Sequence, residues 1–521
     1  MLDLNHILLF IACASPLVLL AQAWRRGGLN HAWRVVAFAV LAVTGVSWYV
    51  TPDNAGFVGG GAWLVLIVLP SIGLRRAAEL SLWQRYGTAS RLLRGLRFIH
   101  PADGLVEQSR LLHALDLAQR GEFSSALKQL SSLTNDPANI GHQAIIQSFR
   151  LRKDWHGLVE FFRRQLGSGF IQSDLGAPPL YLRALGETGA RDQLLLEFAA
   201  NAGSIASEPQ QFFSYDLSLM LVLAFSGRIE ALSKLFETKL RKLSAETKEF
   251  WLATGQITAG QINMGQTALE KLRASATDAM IRADAADRLT RINEIVQPPL
   301  SPAADALVRS FEQHKRVSAR VFASERGWPT TVVLLLIALN VTMFIAESVL
   351  GGSMNPWTLH RLGALEFFSV LVKGEYWRLV TSLFLHYGSL HLLFNLYALF
   401  IIGPGLESTI GSVRFSVCYL LSGLGSSIGV LLLRLANFNS AEQLVGASGC
   451  VMGLVGVWAG LLLRHRHAPM AGRRLKNILV IVAIQTAFDL STPQISMAAH
   501  MSGLLSGLVL GLLLAPKTLR G

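Results

Sequence analysis

Val445-Gly446-Ala447-Ser448-Gly449-Cys450-Val451-Met452-Gly453 opens an apolar run that reaches Leu463. A serine flanked by Gly446 and Gly449 at the start of a membrane helix leaves room for a second helix to come close. Small residues around a serine are also ordinary packing material between membrane helices. The stretch alone therefore fixes no chemistry. The partners that a reactive serine needs have to come from elsewhere in the chain.

The chain has 521 residues, of which 51% are hydrophobic and 16% charged. That is too apolar for a soluble protein of this length, so membrane spans are expected. The net charge of +13 could mark nucleic-acid binding or the positive-inside bias of a membrane protein. Its clustering in loops between apolar runs favours the second, and no nucleic-acid partner is expected. Cys13, Cys418 and Cys450 lie in apolar stretches without pairing or metal-like spacing. Neither a disulfide framework, a metal nor a cofactor is expected from them.

Outward from the serine, apolar runs recur at about 330–349, 389–406, 413–433, 448–463, 477–490 and 498–514. Three more stand at the N-terminus, at 6–24, 35–50 and 57–74. Each is near the ~20 residues a span requires. The expected architecture is all-α. Residues 1–76 carry three transmembrane helices, 77–327 a soluble α-helical repeat domain, and 328–521 a polytopic six-helix membrane bundle. Arg25, Arg26 and Arg34 lie between the first two spans, and Arg75 and Arg76 follow the third. Basic loops stay cytoplasmic, so the N-terminus is expected outside and 77–327 inside. The helix with Arg316, Arg320 and Arg326 then leads back to the membrane. The loop 464–476, with Arg464, Arg466, Arg473, Arg474 and Lys476 and no acid, falls on the inside, as do Lys517 and Arg520.

Between 77 and 327, turn-like breaks near Gly121, Lys153-Asp154, Gly189, Gly227 and Gly265 separate short amphipathic segments. Helix–turn–helix units near a 34-residue period resemble tetratricopeptide repeats. The signature Trp and Tyr positions are mostly missing, and an irregular all-helical domain is the other reading. Pro298, Pro299 and Pro302 end the domain.

Polar side chains inside spans are costly and tend to face a bundle interior or a cavity. His391 and Asn395 stand four apart, hence on one helix face, in the outer half of the second core span. Ser448 begins the fourth at its outer end, and His500 lies one turn into the sixth, also at its outer end. Three spans remote in sequence thus bring Ser, His, His and Asn to one depth. Gly449, Gly453, Gly456 and Gly460 face Gly503, Gly507 and Gly511, at a spacing that lets spans four and six touch. Taken singly, each polar residue is an ordinary interior hydrogen-bonding group. Asp489, near an outer helix end, reads as merely interfacial.

Together these residues resemble a rhomboid intramembrane serine protease. The matching elements are Trp377-Arg378, His386 with His391-Leu392-Leu393-Phe394-Asn395, Gly403-Pro404-Gly405-Leu406-Glu407, Gly446-Ala447-Ser448-Gly449, and Ala499-His500-Met501-Ser502-Gly503 with Gly507. They occur in family order over about 328–516 and do not cover 1–327. The resemblance implies a dyad with no carboxylate, Ser448 as nucleophile and His500 as general base. It implies an oxyanion hole from the Ser448 backbone N–H with His391 and Asn395. Trp377, Arg378, His386, Glu407, Gly446, Gly449 and Gly503 would support the site, Arg378 by anchoring the outer loop and Glu407 by capping an inner helix end. One position departs: where the family commonly carries a tyrosine that stacks on the imidazole, this chain has Met452. A thioether can pack on a ring but holds it less rigidly.

The implied substrates are single-span membrane proteins with helix-weakening residues near the outer end of the span. Helix 477–490 and loop 491–497 (Ser491-Thr492-Pro493) would form gate and lid. The expected location is a bacterial inner membrane, with the active site facing outward and the lipid bilayer itself as partner. A cytoplasmic protein partner would use 77–327. The alternative is a catalytically impaired rhomboid-like escort factor that binds membrane proteins, with the repeat domain as scaffold. A transporter fits less well, because no inverted repeat or paired broken helices is evident.

Overall fold

The computed structural model describes all residues except 1–2, 27–30, 101–103, 136–138, 167–176, 206–211, 297–299, 314–329, 438–441, 467–470, 493–494 and 515–521. Pro298 and Pro299, the segment with Arg316, Arg320 and Arg326, Pro493, and Lys517 with Arg520 therefore lie outside the described residues. The chain falls into two compact units, Ile11–Lys315 and Arg316–Gly521, the second joined by the first ten residues. Among the described residues, helices long and apolar enough to cross a membrane occupy Leu4–Gln22, His31–Val50, Pro52–Leu82, Thr331–Val349, Ser389–Ile410 and Ser412–Leu435. The protein is an integral membrane protein with a polytopic helical bundle.

Within Ile11–Lys315, the third apolar run is one continuous helical segment as far as Leu82, with a π-turn at Leu64–Val68. Beyond it, paired helices are joined by tight turns. Gly121, Lys153, Gly189, Gly227 and Gly260 stand at these turns, each with φ between 61° and 94°. The last break is a correction. Gly265 lies inside the helix Ile262–Ser275, where a Cβ would lie 3.2 Å from the Ile257 backbone nitrogen. It is a packing glycine, and Gly260 makes the turn. A buried ionic cluster of Arg183, Glu187, Asp284 and Arg288 ties these helices together. Burial acts to raise the Glu187 carboxyl, but the guanidinium groups of Arg288, Arg183 and Arg291 outweigh it and hold it below its ordinary value.

Within the other unit, the bundle is built from α1 (Thr331–Val349), α2 (Ser389–Ile410), α3 (Ser412–Leu435), α4 (Ser448–Arg464), α5 (Ala471–Ser491) and α6 (Met497–Leu513); of these α1, α2 and α3 are among the helices long and apolar enough to cross a membrane, and α4 and α6 are shorter apolar helices. Helix α2 runs past the expected end at 406, through Pro404, to Ile410. Its end is set by Gly411, whose φ of 88° breaks the helix. Helix α4 is apolar all round and buried from Gly449 to Leu462, which makes it the central helix. Its glycines are the reason it can be central. A Cβ on Gly453 would strike the Ser422 side chain of α3, and one on Gly456 or Gly460 would strike the backbone of α6. On α6, Gly503, Gly507 and Gly511 meet the carbonyl oxygens of Gly449, Gly453 and Val457 in turn. The two backbones are in direct contact over three helical turns.

The connection 350–388 carries a small strand, β1 (Leu365–Glu366), in an otherwise helical fold. It pairs antiparallel with β2 (Gln443–Leu444), Leu365 opposite Leu444 and Glu366 opposite Gln443. Strand β2 ends just before Gly446, so this pairing fixes the approach of the chain to Ser448.

Candidate active site

The turn that presents Ser448 is built by Gly446. Its φ is 134°, in the region that favours glycine, and its N–H donates to Ser382 O at 2.9 Å. A Cβ there would lie 2.7 Å from His391 Cε1, 2.9 Å from His391 Nε2 and 3.6 Å from Ser448 Oγ. The bare α-carbon thus stands between the serine hydroxyl and the Cε1 and Nε2 atoms of the His391 ring. Ser448 is half-buried at the first position of α4. Free backbone amides and the helix dipole both favour negative charge at that end.

His391 is in the first turn of α2. Its Nδ1 accepts from the Tyr387 N–H at 3.4 Å, which leaves the proton on Nε2, the nitrogen turned toward Gly446. Asn395 is one turn further, 6% exposed, and its Nδ2 donates to His391 O at 3.1 Å. His386 is fully buried just before α2, with its ring 5.4 Å from that of His391 in an edge-on arrangement.

His500 reaches the same place from α6. Ser496 caps that helix by accepting from Ala499 N–H at 3.2 Å. Ala499 O in turn accepts from Ser426 Oγ of α3 at 2.7 Å, and it faces Gly449. With Gly449 against Gly503 and Ala499, the residue after Ser448 touches the residue before His500 and the one three beyond it. The His391 and His500 imidazoles are near one another. Ser448, His391 and His500 therefore converge from α4, α2 and α6. Met452 is buried at 6% exposure one turn along α4 and brings no hydrogen-bonding group to the cluster.

Asp489 is where the sequence reading is overturned. It is 5% exposed rather than interfacial, and His500 Nδ1 lies 2.8 Å from its Oδ2. Gln485 Nε2 donates to its Oδ1 at 2.8 Å. A carboxylate does accompany the imidazole.

The remaining residues hold the frame. Arg378, 3% exposed, donates to His360 O at 2.7 Å, to Ala364 O at 3.1 Å and to Glu375 Oε2 at 2.5 Å, and lies over the Trp377 ring. Glu366 bonds His360, Ser369 and Gln443, tying β1 to β2. Burial acts to raise its carboxyl, but those hydrogen bonds outweigh it and hold it below its ordinary value. At the opposite end of the bundle, Glu407 accepts from Val333 N–H at 3.2 Å, from Ser412 Oγ at 2.7 Å and from Thr330 Oγ1. Among the described residues, no group of three His, Cys, Asp or Glu side chains is placed to hold a metal ion.

The family model for the Rhomboid domain matches residues 373–517. Over 203 residues the chain is 36% identical to the rhomboid protease GluP of Bacillus subtilis, covering 39% of this chain and 38% of that protein. It is 32% identical over 190 residues to the rhomboid protein YdcA of the same organism, covering 36% of this chain and 89% of YdcA. RHOMBOID-like protein 6 of Arabidopsis thaliana is 38% identical over 158 residues, 30% of this chain and 50% of its own length.

Proposed function

Because this chain belongs to the rhomboid family, we propose that it is an intramembrane serine endopeptidase in which Ser448 is the nucleophile and His500 the general base. The reading rests on the contact of Gly449 with Gly503 and Ala499, which brings the start of α4 against the first turn of α6. Ser448 Oγ attacks the scissile carbonyl carbon while its proton passes to His500 Nε2. The carbonyl oxygen takes the electron pair and is met by the Ser448 N–H, by His391 Nε2–H and by the Asn395 amide. Collapse of the adduct breaks the C–N bond, and His500 gives its proton to the leaving amine. Water then loses a proton to His500, its hydroxide attacks the acyl carbon, and the proton returns to Ser448 Oγ as the ester breaks.

The substrates we propose are single-span proteins cleaved near the outer membrane face. A helix hides its carbonyls in hydrogen bonds, so spans weakened by Gly, Ser or Pro are the ones that open to the serine. In this reading the membrane is a bacterial inner membrane and the N-terminus is outside. Residues 1–76 anchor three spans, 77–327 form a cytoplasmic tetratricopeptide-like domain that recruits a protein partner, and 328–521 are the protease core.

The test is cleavage of tagged single-span proteins by the full chain and by Ser448→Ala. Loss of all cleavage above background is expected for the variant. Equal cleavage by both would remove the protease reading and leave the escort factor, a reading that buried Met452, with no ring to stack on an imidazole, would then favour.

A further inference from the structure

We infer that Asp489 is a positioning residue for His500, so that the chain carries a Ser448–His500–Asp489 triad rather than a dyad. The inference rests on the Ser448 and His500 roles proposed above and adds a member to them.

The geometry leaves the carboxylate little else to do. Asp489 ends in a buried pocket between α5 and α6, its side chain 2% exposed and that of His500 6%. Both oxygens are engaged, Oδ1 by Gln485 from one turn back on α5 and Oδ2 by His500 Nδ1, each at 2.8 Å. A buried carboxylate is stable only when hydrogen-bonded and paired. Here one partner is a neutral amide, so the imidazole is the group that can balance its charge. An aspartate at an outer helix end would ordinarily turn to water, and this one has turned inward.

The consequences for His500 follow from donor and acceptor rules. An ionised carboxylate only accepts, so Nδ1 carries the proton and Nε2 keeps its lone pair. That is the tautomer in which Nε2 can take the proton of Ser448 Oγ. When it does, the ring becomes an imidazolium beside a fixed anion in a water-poor site, where the attraction is strongest. Asp489 itself takes no proton. On the other side stands the His391 imidazole of α2. From α3, the uncharged Ser426 donates to Ala499 O, beside His500. The ring is also aimed from below, because the Ser496 cap fixes the first turn of α6 on which it stands.

The experiment uses the full chain in detergent or nanodiscs with a fluorogenic single-span substrate. It measures kcat, KM and thermal unfolding for the natural chain, Ser448→Ala, Asp489→Asn, Asp489→Glu and Gln485→Ala. Asp489→Asn is expected to lower kcat at least ~10²-fold, toward the ~10⁴ seen when a triad aspartate is neutralised elsewhere, with KM and unfolding unchanged. Asp489→Glu should recover part of the loss. Gln485→Ala, which frees one carboxylate oxygen, should lose roughly threefold to tenfold in kcat alone. A downfield His500 Hδ1 resonance should be present in the natural chain and absent in Asp489→Asn. If Asp489→Asn keeps kcat within about threefold while Ser448→Ala is inactive, the role of Asp489 is overturned and the protease reading stands. If Ser448→Ala still cleaves, it is the protease reading that falls. Should Asp489→Asn fail to fold, Gln485→Ala decides: a lowered kcat at constant KM supports the role, and an unchanged kcat overturns it.

Discussion

One close approach in the cluster is made across a hydrogen atom. Gly446 has only that between its α-carbon and the His391 ring, so any side chain there would displace the ring from Ser448. In the proposed mechanism His391 Nε2–H meets the oxyanion, and its proton is assigned by the Tyr387 N–H on the other nitrogen. His391→Ala is therefore expected to lower kcat by roughly 10²–10³-fold with normal membrane insertion. Steady-state kinetics on the purified variant check this, and an unaltered kcat would exclude the role. At this scale the sequence was readable where a residue broke a rule. Ser448, His391, Asn395 and His500 stood out as polar groups inside apolar runs. Asp489 broke no rule, because a carboxylate at a helix end is expected to face water. Which way it turns follows from its partners Gln485 and His500, the second on another helix, a pairing no periodicity encodes.

Among the elements, the α4–α6 pair was legible from glycines four apart, since that spacing lines one face of each helix. The pairing extends further than that spacing suggests. Serines of α3 join it, Ser422 and Ser426 filling the space beside Gly453 and Gly449, and Gly425 and Gly429 receiving Ser506 and Ser502 of α6. Because Gly507 meets the Gly453 backbone, relief by a side-chain rotation is unavailable. Gly507→Leu should cost more than the ~1–3 kcal/mol of ordinary overpacking. Thermal unfolding in detergent would read it as loss of the folded core, and wild-type stability would refute the contact. Helix ends were less legible. Pro404 suggests an end to α2, yet the helix absorbs it and stops at Gly411. Gly265 and Gly260 look alike in sequence, and only the packing against Ala253 and Ile257 separates them.

For the whole molecule, the membrane assignment followed from composition and the long apolar runs, which are additive properties of the chain. Between Gly121 and Gly260 a turn residue with positive φ recurs every 32 to 38 residues. The proposed orientation makes a direct prediction. A fluorescent protein that matures only in the cytoplasm, fused after residue 200, should be bright, and a reporter active only outside should be silent at the same point. The reverse pattern would invert the topology and put Ser448 at the inner face.

The backbone contact of α4 with α6 also acts as a gauge of register. Its contacts repeat every four residues, from Gly503 on Gly449 to Gly507 on Gly453 to Gly511 on Val457. Sliding one helix past the other by one turn would reseat most of these contacts at little cost in packing. It would also carry His500 ~5.4 Å along the bundle, away from Ser448 and from Asp489. The glycine repeat by itself therefore tolerates more than one alignment, and the polar groups at its outer end select among them. The Ser426 to Ala499 bond and the Asp489 to His500 bond can form in one alignment only. On this view the residues proposed for chemistry are also the pins that set the bundle, and a slipped bundle would be inactive before it was unfolded.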